Sequence, residues 1–215
     1  MNLELFDTST FEGMESLGRH AHVLRGFALP FVDDIVPALQ RIESQSPFRN
    51  MVTPGGHTMS VALTNCGDLG WISDRRGYRY SGIDPQTGLA WPAMPDVFRR
   101  LAQQTAEHAG LGPFDPDACL MNRYLPGSRL ALHQDWNEKD LNPPIVSVSL
   151  GIPAVFLFGG HQRTDKPRRV PLFHGDVVVW GGEDRMRFHG IEPLKPAEHP
   201  TFGVQRINFT FRRAG

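Results

Sequence analysis

The feature that most constrains the fold of this chain is a series of short apolar runs between residue 117 and the C-terminal end. The runs are CLMNRYL, SRLALHQD, PIVSVSLGI, AVFLFGG, RRVPLF, DVVVWGG, RFHGI and RINFTFR. Apolar and polar residues alternate with period two at 145–150 and 206–212, as in a β-strand with two different faces. Turn residues separate the runs at 126–127, 142–144, 159–160 and 174–176. About eight short strands spaced in this way predict a double-sheet jelly roll or a small barrel.

Two earlier stretches have helical rather than strand periodicity. In FVDDIVPALQRIESQS, apolar residues recur at helical spacing over 35–42, and Pro37 is expected in the first turn, where proline is tolerated. In PDVFRRLAQQTAEHAG, apolar residues share one face over 97–109, and Gly110 predicts the end of the helix. We expect both helices to cover a sheet, so the predicted fold class is mainly β with flanking helices.

Composition indicates an ordinary globular protein. The chain has 215 residues, enough for one domain with a full core, and its 22 basic and 23 acidic residues give a net charge of −1. This balance excludes a uniformly basic nucleic-acid binder, although a local basic rim on a neutral protein can still bind DNA. Two cysteines, Cys66 and Cys119, exclude a disulfide framework and a four-cysteine zinc site, and we expect them to be buried thiols.

The sequence also bears on location. The N-terminal segment MNLELFDTSTFEGMES lacks the basic and apolar regions of a secretory signal. No stretch approaches the roughly 18 apolar residues that a membrane span needs. We therefore expect a cytoplasmic protein that does not contact membranes. We also expect it to act as a monomer.

The segment 47–94 has a different character from the strands that follow it. It contains TPGGHTMSVALTNCGDLGWISDRRGYRYSGIDPQTG, in which short alternating runs are cut by turn residues. This pattern predicts two or three exposed hairpins rather than core. Aromatic residues interleave with arginines here, namely Trp71, Tyr78 and Tyr80 with Arg75, Arg76 and Arg79. The mixture suits stacking on nucleobases and contacts to phosphates, but ordinary hairpin packing with a solvated charged face is the alternative.

Three residues in the strand region form a candidate metal site. His133 and Asp135 make an H-x-D pair at the end of the run SRLALHQD, and His189 follows in the run RFHGI. Residues i and i+2 of a strand point to the same side, so the first two side chains can reach one point. Two imidazoles and one carboxylate on a β scaffold form the facial triad of non-haem Fe(II) oxygenases. An isolated H-x-D is a weak signal, whereas the pair followed by a strand-borne histidine is more specific.

The polar face of the last run suggests a co-substrate. Arg206, Asn208 and Arg212 lie on one side of RINFTFR, and arginines on an inward face are costly unless an anion pairs with them. The dianion 2-oxoglutarate fits, because guanidinium groups grip carboxylates and its keto-acid end chelates iron. Asn122 and Tyr124 share a face of CLMNRYL and could donate to the same ligand. The alternative is an outward, solvated strand face.

At this point the chain resembles the AlkB family of Fe(II)/2-oxoglutarate dioxygenases, and within it the bacterial DNA-repair members. The resemblance extends over nearly the whole chain, and its motifs are long and specific. The matching stretches are SQSPFRNMVTPGGHTMSVALTNCGDLGW, GYRYSGIDPQTG, PDACLMNRYLPG, LHQD, PIVSVSLGIPAVFLFGG, HGDVVVWGGEDRMRFHGI and RINFTFR.

The resemblance implies a double-stranded β-helix (jelly roll) at 95–215, a nucleotide-recognition lid at 47–94 and an N-terminal extension with a helix at 1–46. It implies Fe(II) with 2-oxoglutarate and O2 as co-substrates, and oxidative dealkylation of nucleobases in DNA, preferably single-stranded, with double-stranded DNA and RNA as further candidates. The implied iron ligands are His133, Asp135 and His189. The implied 2-oxoglutarate contacts are Asn122, Tyr124, Arg206, Asn208 and Arg212.

The resemblance also implies substrate contacts. Trp71 would stack on the flipped base, Tyr78 would lie near the backbone of the lesion, and Arg163 would lie at the pocket rim. The family usually has an acidic residue two places after the metal-binding aspartate, where it faces the damaged base, and this chain has Asn137. We expect weaker discrimination in favour of cationic lesions as a result, unless Glu138 turns in and supplies the missing carboxylate.

Two further departures from the family pattern are Ala131 at a pocket position and Leu63 at a lid position, and both also bear on lesion preference.

Two alternative functions remain open at this point. One is the same chemistry on a protein or a small molecule, and the other is a binding module with a vestigial metal site. The second would require lost ligands, and all three are present in this sequence.

Overall fold

The computed structural model describes residues 13–215. Its two α-helices are α1 (Val32–Gln45) and α2 (Asp96–His108). Its strands are β1 (Met14–Gly18), β2 (Ala21–Leu24), β3 (Arg49–Val52), β4 (Thr58–Gly67), β5 (Gly70–Asp74), β6 (Gly77–Ser81), β7 (Ala118–Tyr124), β8 (Leu130–His133), β9 (Ile145–Gly151), β10 (Ala154–Phe158), β11 (Arg168–Leu172), β12 (Val177–Trp180), β13 (His189–Ile191) and β14 (Arg206–Arg212). Every predicted run after residue 117 coincides with one of these strands to within a few residues at each end.

The strands form two facing antiparallel sheets and a separate hairpin. The large sheet has the order β1-β2-β12-β9-β14-β7-β4-β3, and the small sheet has the order β11-β10-β13-β8. A core of apolar side chains joins the two sheets, with Ile145 and Trp180 from the large sheet and Phe156, Phe158 and Ile191 from the small one. Two packed sheets connected by crossovers are a jelly roll, so the predicted fold class is confirmed.

Both helices cover the outer face of the large sheet, as expected. Phe98 of α2 is fully buried, and its ring centroid lies 4.5 Å from that of Phe209 on β14. Burying one such side chain contributes about 1.5–3 kcal/mol to folding. Gly110 has a φ of 70° directly after α2, which explains a glycine at this helix end. The expectation for Pro37 was wrong, because α1 begins at Val32 and Pro37 therefore lies in its second turn.

The expectation of exposed hairpins throughout 47–94 was also wrong in part. Strands β3 and β4 belong to the large sheet, where β4 pairs with β7, and residues 61–67 are buried. Polar and apolar residues do not alternate regularly along β4, because both faces of this strand are covered. The local sequence pattern does not reveal that burial. Strands β5 and β6 do form a separate two-stranded hairpin, which we call the lid hairpin (residues 70–81).

Three smaller expectations concern the rest of the chain. Cys66 and Cys119 are buried free thiols that face each other across β4 and β7. Within residues 13–215, neither helix is long and apolar enough to cross a membrane. The first twelve residues of the predicted N-terminal extension lie outside the described part of the chain.

Candidate metal centre and its cavity

The small sheet brings the three candidate metal ligands together. His133 ends β8 and His189 begins β13, and these two residues are directly paired in the antiparallel register. Asp135 follows two residues after β8, and its carboxylate oxygens lie 3.7 Å from His133 Nε2 and 3.6 Å from His189 Nε2. One potential ligand atom from each residue lies within 4.8 Å of the other two. The cluster can therefore present three ligands to one metal ion and leave the opposite side open.

Both imidazoles are held in the orientation that a metal ligand needs. The Nδ1 atom of His133 is 2.9 Å from the carbonyl oxygen of Ala131, and that of His189 is 3.0 Å from the carbonyl oxygen of Arg187. A carbonyl only accepts hydrogen bonds, so each Nδ1 carries the proton and donates. The Nε2 atom of each ring then points at the Asp135 carboxylate. A hydrogen bond from the second ring nitrogen fixes metal-binding histidines in this way.

The electrostatics of the cluster favour the ligand forms of its side chains. Burial in the cavity wall, together with the neighbouring His189, lowers the pKa of His133 to about 4. Burial opposes the charge on Asp135, but the Arg212 guanidinium and the two imidazoles outweigh it and hold the pKa of this carboxyl well below its usual value. At neutral pH the site thus contains a neutral imidazole at His133 and an ionised carboxylate at Asp135, which is the donor set that Fe(II) takes.

Arg212 is bound to the metal-site carboxylate. Its Nη2 donates to Asp135 Oδ2 at 2.6 Å, and its Nε lies 3.3 Å from Glu138 Oε1. The arginine is therefore on the inward face of β14, as predicted, and it lines the cavity. Arg212 is thus paired with Asp135, which is itself a candidate metal ligand. A direct contact between Arg212 and 2-oxoglutarate therefore stays a prediction.

Arg206 has the features of a binding group for an organic anion. The side chain is 1% exposed, and its Nη2 donates to Ser149 Oγ at 2.9 Å. Its Nε and Nη1 atoms are buried without a hydrogen-bond partner among residues 13–215. The guanidinium lies over the ring of Tyr124 at 5.0 Å, and burial lowers the pKa of Arg206 from its usual value. A buried cation with free donors fits a carboxylate of 2-oxoglutarate, because an unpaired buried charge is otherwise costly.

The remaining predicted co-substrate residues lie beside Arg206. Asn208 pairs directly with Asn122 across β14 and β7, and the Asn122 amide lies 3.3 Å from Asn208 Oδ1. The Asn208 amide donates to Ser147 Oγ and to the carbonyl of Val148. Both asparagines line the cavity and are held by this network. The alternative of an outward, solvated face on β14 is excluded, because all seven residues of this strand are buried.

The predicted substrate residues surround the mouth of the same cavity, which has a volume of about 500 Å³. The Trp71 and Tyr78 rings of the lid hairpin are stacked, with centroids 5.4 Å apart and planes 15° from parallel. Trp71 Nε1 donates to Asn137 Oδ1 at 3.3 Å, so the loop after the metal site touches the lid hairpin. Arg163 lies exposed at the mouth. All twelve predicted site residues line this cavity.

Sequence reasoning missed a buried polar network behind the metal site. Glu138 is 7% exposed and accepts hydrogen bonds from Tyr80 Oη at 2.7 Å and from Arg185 Nη2 at 3.1 Å. Arg185 also donates to the carbonyl oxygen of Asp135 at 2.8 Å. Glu138 does not line the cavity, so the structure argues against the alternative in which it replaces the missing carboxylate. No local signal marks these residues, because they are far apart in the sequence.

Comparisons with known proteins identify the family of the chain. Residues 21–212 match the family model of the 2OG-Fe(II) oxygenase superfamily. The alpha-ketoglutarate-dependent dioxygenase AlkB of Escherichia coli is 57% identical over 201 residues, which are 94% of this chain and 93% of that protein. Alpha-ketoglutarate is another name for 2-oxoglutarate. The solved structure of OsALKBH1 superposes with a TM-score of 0.83 at 29% identity, covering 94% of this chain and all of that one.

Two more distant relatives match about half of the chain. The DNA N(6)-methyladenine demethylase ALKBH1D of Arabidopsis thaliana is 39% identical over 108 residues, which are 45% of this chain and 24% of that protein. The tRNA demethylase abh1 of Schizosaccharomyces pombe is 36% identical over 109 residues, which are 45% of this chain and 36% of that protein. The chain therefore belongs to the AlkB family of the 2-oxoglutarate- and Fe(II)-dependent oxygenase superfamily.

Proposed function

We propose that this protein removes alkyl groups from the ring nitrogens of nucleobases in DNA, and that it reverses alkylation damage directly. The observation that carries the proposal is a single cavity with three parts. It holds the cluster of His133, Asp135 and His189, the unpaired buried cation Arg206, and an aromatic mouth formed by the lid hairpin. The names of the Escherichia coli, Arabidopsis and fission yeast relatives support dioxygenase chemistry on nucleic acid.

His133, Asp135 and His189 would hold Fe(II), and Arg206 would hold one carboxylate of 2-oxoglutarate beside Asn122, Tyr124, Asn208 and Arg212. When bound, iron, 2-oxoglutarate and O2 supply the oxidising chemistry that converts an N-methyl group to formaldehyde, with succinate and CO2 as the other products. The chain itself fixes the imidazole orientations, keeps Asp135 ionised through Arg212, and positions the base between Trp71 and the metal cluster.

Access to this cavity favours single strands. A base in a duplex must be unpaired and flipped before an atom of its ring can reach the metal cluster, which costs a few kcal/mol. Single-stranded DNA avoids most of that cost, so we propose a preference for it, with double-stranded DNA and RNA as weaker substrates. We further propose that the protein acts as a monomer in the cytoplasm, where its two free thiols would stay reduced.

The test is a panel of methylated oligonucleotides incubated with the protein, Fe(II) and 2-oxoglutarate, with formaldehyde and succinate measured separately. We expect equimolar formaldehyde and succinate from DNA containing 1-methyladenine or 3-methylcytosine, and a lower rate from the same lesion in a duplex. Asp135→Ala should lose both products and its bound divalent metal while remaining folded. The matched control, Asp68→Ala, removes an exposed carboxylate outside the cavity and should keep full activity.

Other outcomes would redirect the proposal. Succinate that depends on a methylated peptide or a small molecule, and not on methylated nucleic acid, would replace nucleobases as the substrate class. Iron-dependent products from Asp135→Ala at the wild-type rate would overturn the assignment of the metal ligands.

A further inference from the structure

One tryptophan at the cavity mouth has no role in the site described above. Trp136 is 70% exposed, more than any other large apolar side chain within residues 13–215. It directly follows Asp135 in the sequence and lines the mouth of the cavity. Large aromatic side chains bury much surface when they make contacts and are enriched at interfaces, so an exposed one beside a ligand cavity is a candidate contact for a bound molecule.

The indole of Trp136 has no partner within the described part of the chain. No ring or guanidinium packs against it there, and its N–H makes no hydrogen bond. The other three tryptophans all have such contacts. Trp71 donates a hydrogen bond to Asn137, and Trp91 donates one to the carbonyl oxygen of Ser81 at 2.8 Å. Trp180 packs against His189, with the ring centroids 4.9 Å apart. Trp136 is therefore available for contact with a molecule from outside the chain.

The surroundings of Trp136 indicate the chemistry of that molecule. Tyr78 is 45% exposed on the lid hairpin and lines the same mouth. Arg129 and Arg163 are exposed at the mouth, and neither has a carboxylate within ion-pair distance among residues 13–215. Aromatic faces combined with unpaired cations along one opening are typical of surfaces that bind single-stranded nucleic acid, where bases stack and arginines contact phosphates.

We propose that Trp136 is a stacking platform for the nucleobase adjacent to the one that enters the cavity. The proposal rests on the proposed function, because it requires a nucleic-acid strand whose alkylated base lies near Asp135. Trp71 and Trp136 then serve different bases: the lid hairpin holds the base inside the cavity, and Trp136 holds its neighbour outside. The site therefore recognises at least a dinucleotide unit, and an isolated nucleotide gains nothing from Trp136.

The test compares three substrates that carry the same 1-methyladenine. The first is a single-stranded oligonucleotide with normal neighbours, the second has abasic sites on both sides of the lesion, and the third is the free mononucleotide. Trp136→Ala should lower kcat/KM about 5- to 150-fold for the first substrate, which is the range of one base–aromatic stacking contact. We expect this loss in KM rather than in kcat, and no loss for the abasic-flanked or free substrates.

Two further variants separate stacking from a general effect of the substitution. Trp136→Phe keeps an aromatic face and should recover most of the lost kcat/KM, whereas Trp136→Lys offers only charge and should not. Val204→Ala shortens an apolar side chain that is 56% exposed and lies outside the cavity, and it should match the wild type throughout.

A binding measurement keeps this inference distinct from the proposed function. Fluorescence anisotropy with a labelled, unmodified single strand should show weaker binding by Trp136→Ala than by the wild type, whether or not turnover occurs. Wild-type protein that releases no formaldehyde from any methylated strand would end the proposed function. Equal binding and equal kcat/KM in Trp136→Ala and wild type, or an equal loss on normal and abasic-flanked substrates, would overturn the stacking platform.

Discussion

At the scale of single residues, Arg206 is a buried cation with two unused donor atoms. Arg206→Ala should raise the 2-oxoglutarate concentration needed for half-maximal turnover by about 30-fold or more, because losing one member of a buried charge pair costs about 2–5 kcal/mol. Without 2-oxoglutarate the variant should differ little in stability from the wild type, since removal of an unpaired buried charge offsets the loss of the contacts to Ser149 and Tyr124 and the void that the alanine leaves. Turnover measured as a function of 2-oxoglutarate concentration checks the first point, thermal unfolding without 2-oxoglutarate checks the second, and Arg206→Lys is the matched variant that keeps the charge. An unchanged requirement for 2-oxoglutarate in Arg206→Ala would contradict this role.

A second prediction for a single residue concerns Asn137, which is exposed at the cavity mouth and hydrogen-bonded to Trp71. Asn137→Asp should raise kcat/KM for cationic lesions such as 1-methyladenine relative to neutral 1-methylguanine. We expect only about a two- to fivefold change in this ratio, because an exposed ion pair contributes less than about 1 kcal/mol. Competition between the two lesions in single strands measures it.

Glu138→Gln is the control for the Asn137 experiment. Glu138 is bound to Tyr80 and Arg185 behind the site, so its substitution should leave the ratio of cationic to neutral lesions unchanged. A ratio that responds to Glu138→Gln but not to Asn137→Asp would show that Glu138 supplies the charge after all.

At the scale of elements, the lid hairpin is attached to the core by the buried side chain of Ile72 and by a few polar contacts. Asn65 exchanges two hydrogen bonds of 3.0 Å with the backbone of Trp71, and Ser73 Oγ donates to the carbonyl oxygen of Val52. Tyr80 Oη donates to the buried Glu138 carboxylate, and burial raises the pKa of Tyr80, so the hydroxyl stays protonated. The lid hairpin is thereby connected to Glu138, whose carboxylate also pairs with Arg212.

Tyr80→Phe removes the hydrogen bond between the lid hairpin and Glu138. Because a bond to a charged group is worth about 1.5–3 kcal/mol, amide hydrogen exchange in residues 70–81 should accelerate about 10-fold or more. Exchange in β14 should not change. Tyr78→Phe is the matched control, since the Tyr78 hydroxyl makes no hydrogen bond within the described chain, and equal exchange in the two variants would contradict the proposed anchor.

At the scale of the whole molecule, stability should depend on a pair of histidines remote from the metal cluster. His174 Nδ1 accepts a hydrogen bond from the backbone N–H of Gly151 at 3.1 Å, and its ring lies 4.2 Å from that of His199. Burial and the nearby His199 lower the pKa of His174 to about 4, although Asp176 opposes the shift. The folded state therefore favours the neutral ring more than the unfolded state does.

The sign of the pH dependence follows from this lowered pKa. The stabilisation is complete above about pH 6.5, where the unfolded histidine is also neutral, and it is lost as the pH falls towards about 4. Since His174 is half-buried, we expect it to account for about 1 kcal/mol of the loss between pH 7 and pH 5. Urea unfolding at both values should show a smaller loss in His174→Asn, which keeps an acceptor but does not titrate. An equal loss in both proteins would show that His174 is not responsible.

Much of the fold and of the candidate site could be predicted from the sequence. The period-two pattern of 206–212 predicted a strand with one polar face, and the spacing of His133 and Asp135 predicted ligands on one side. Both signals lie within a few residues of the chain, where backbone geometry alone sets side-chain direction. The same residues already indicated Fe(II) and 2-oxoglutarate, and the specific motifs of the AlkB resemblance added the nucleobase substrate.

Only the tertiary structure decided properties that depend on contacts between distant segments. Strand β4 is core rather than an exposed hairpin because it pairs with β7, more than 50 residues later. Glu138 lies outside the cavity lining, because Tyr80 and Arg185 donate hydrogen bonds to its carboxylate and hold it there. Arg212 contacts Asp135 because the fold brings the end of β14, in the large sheet, next to the loop that follows β8, in the small sheet. Local sequence fixes which face a side chain takes along its own strand, whereas the partner that a charged group meets is set by which strands become neighbours in the folded sheets.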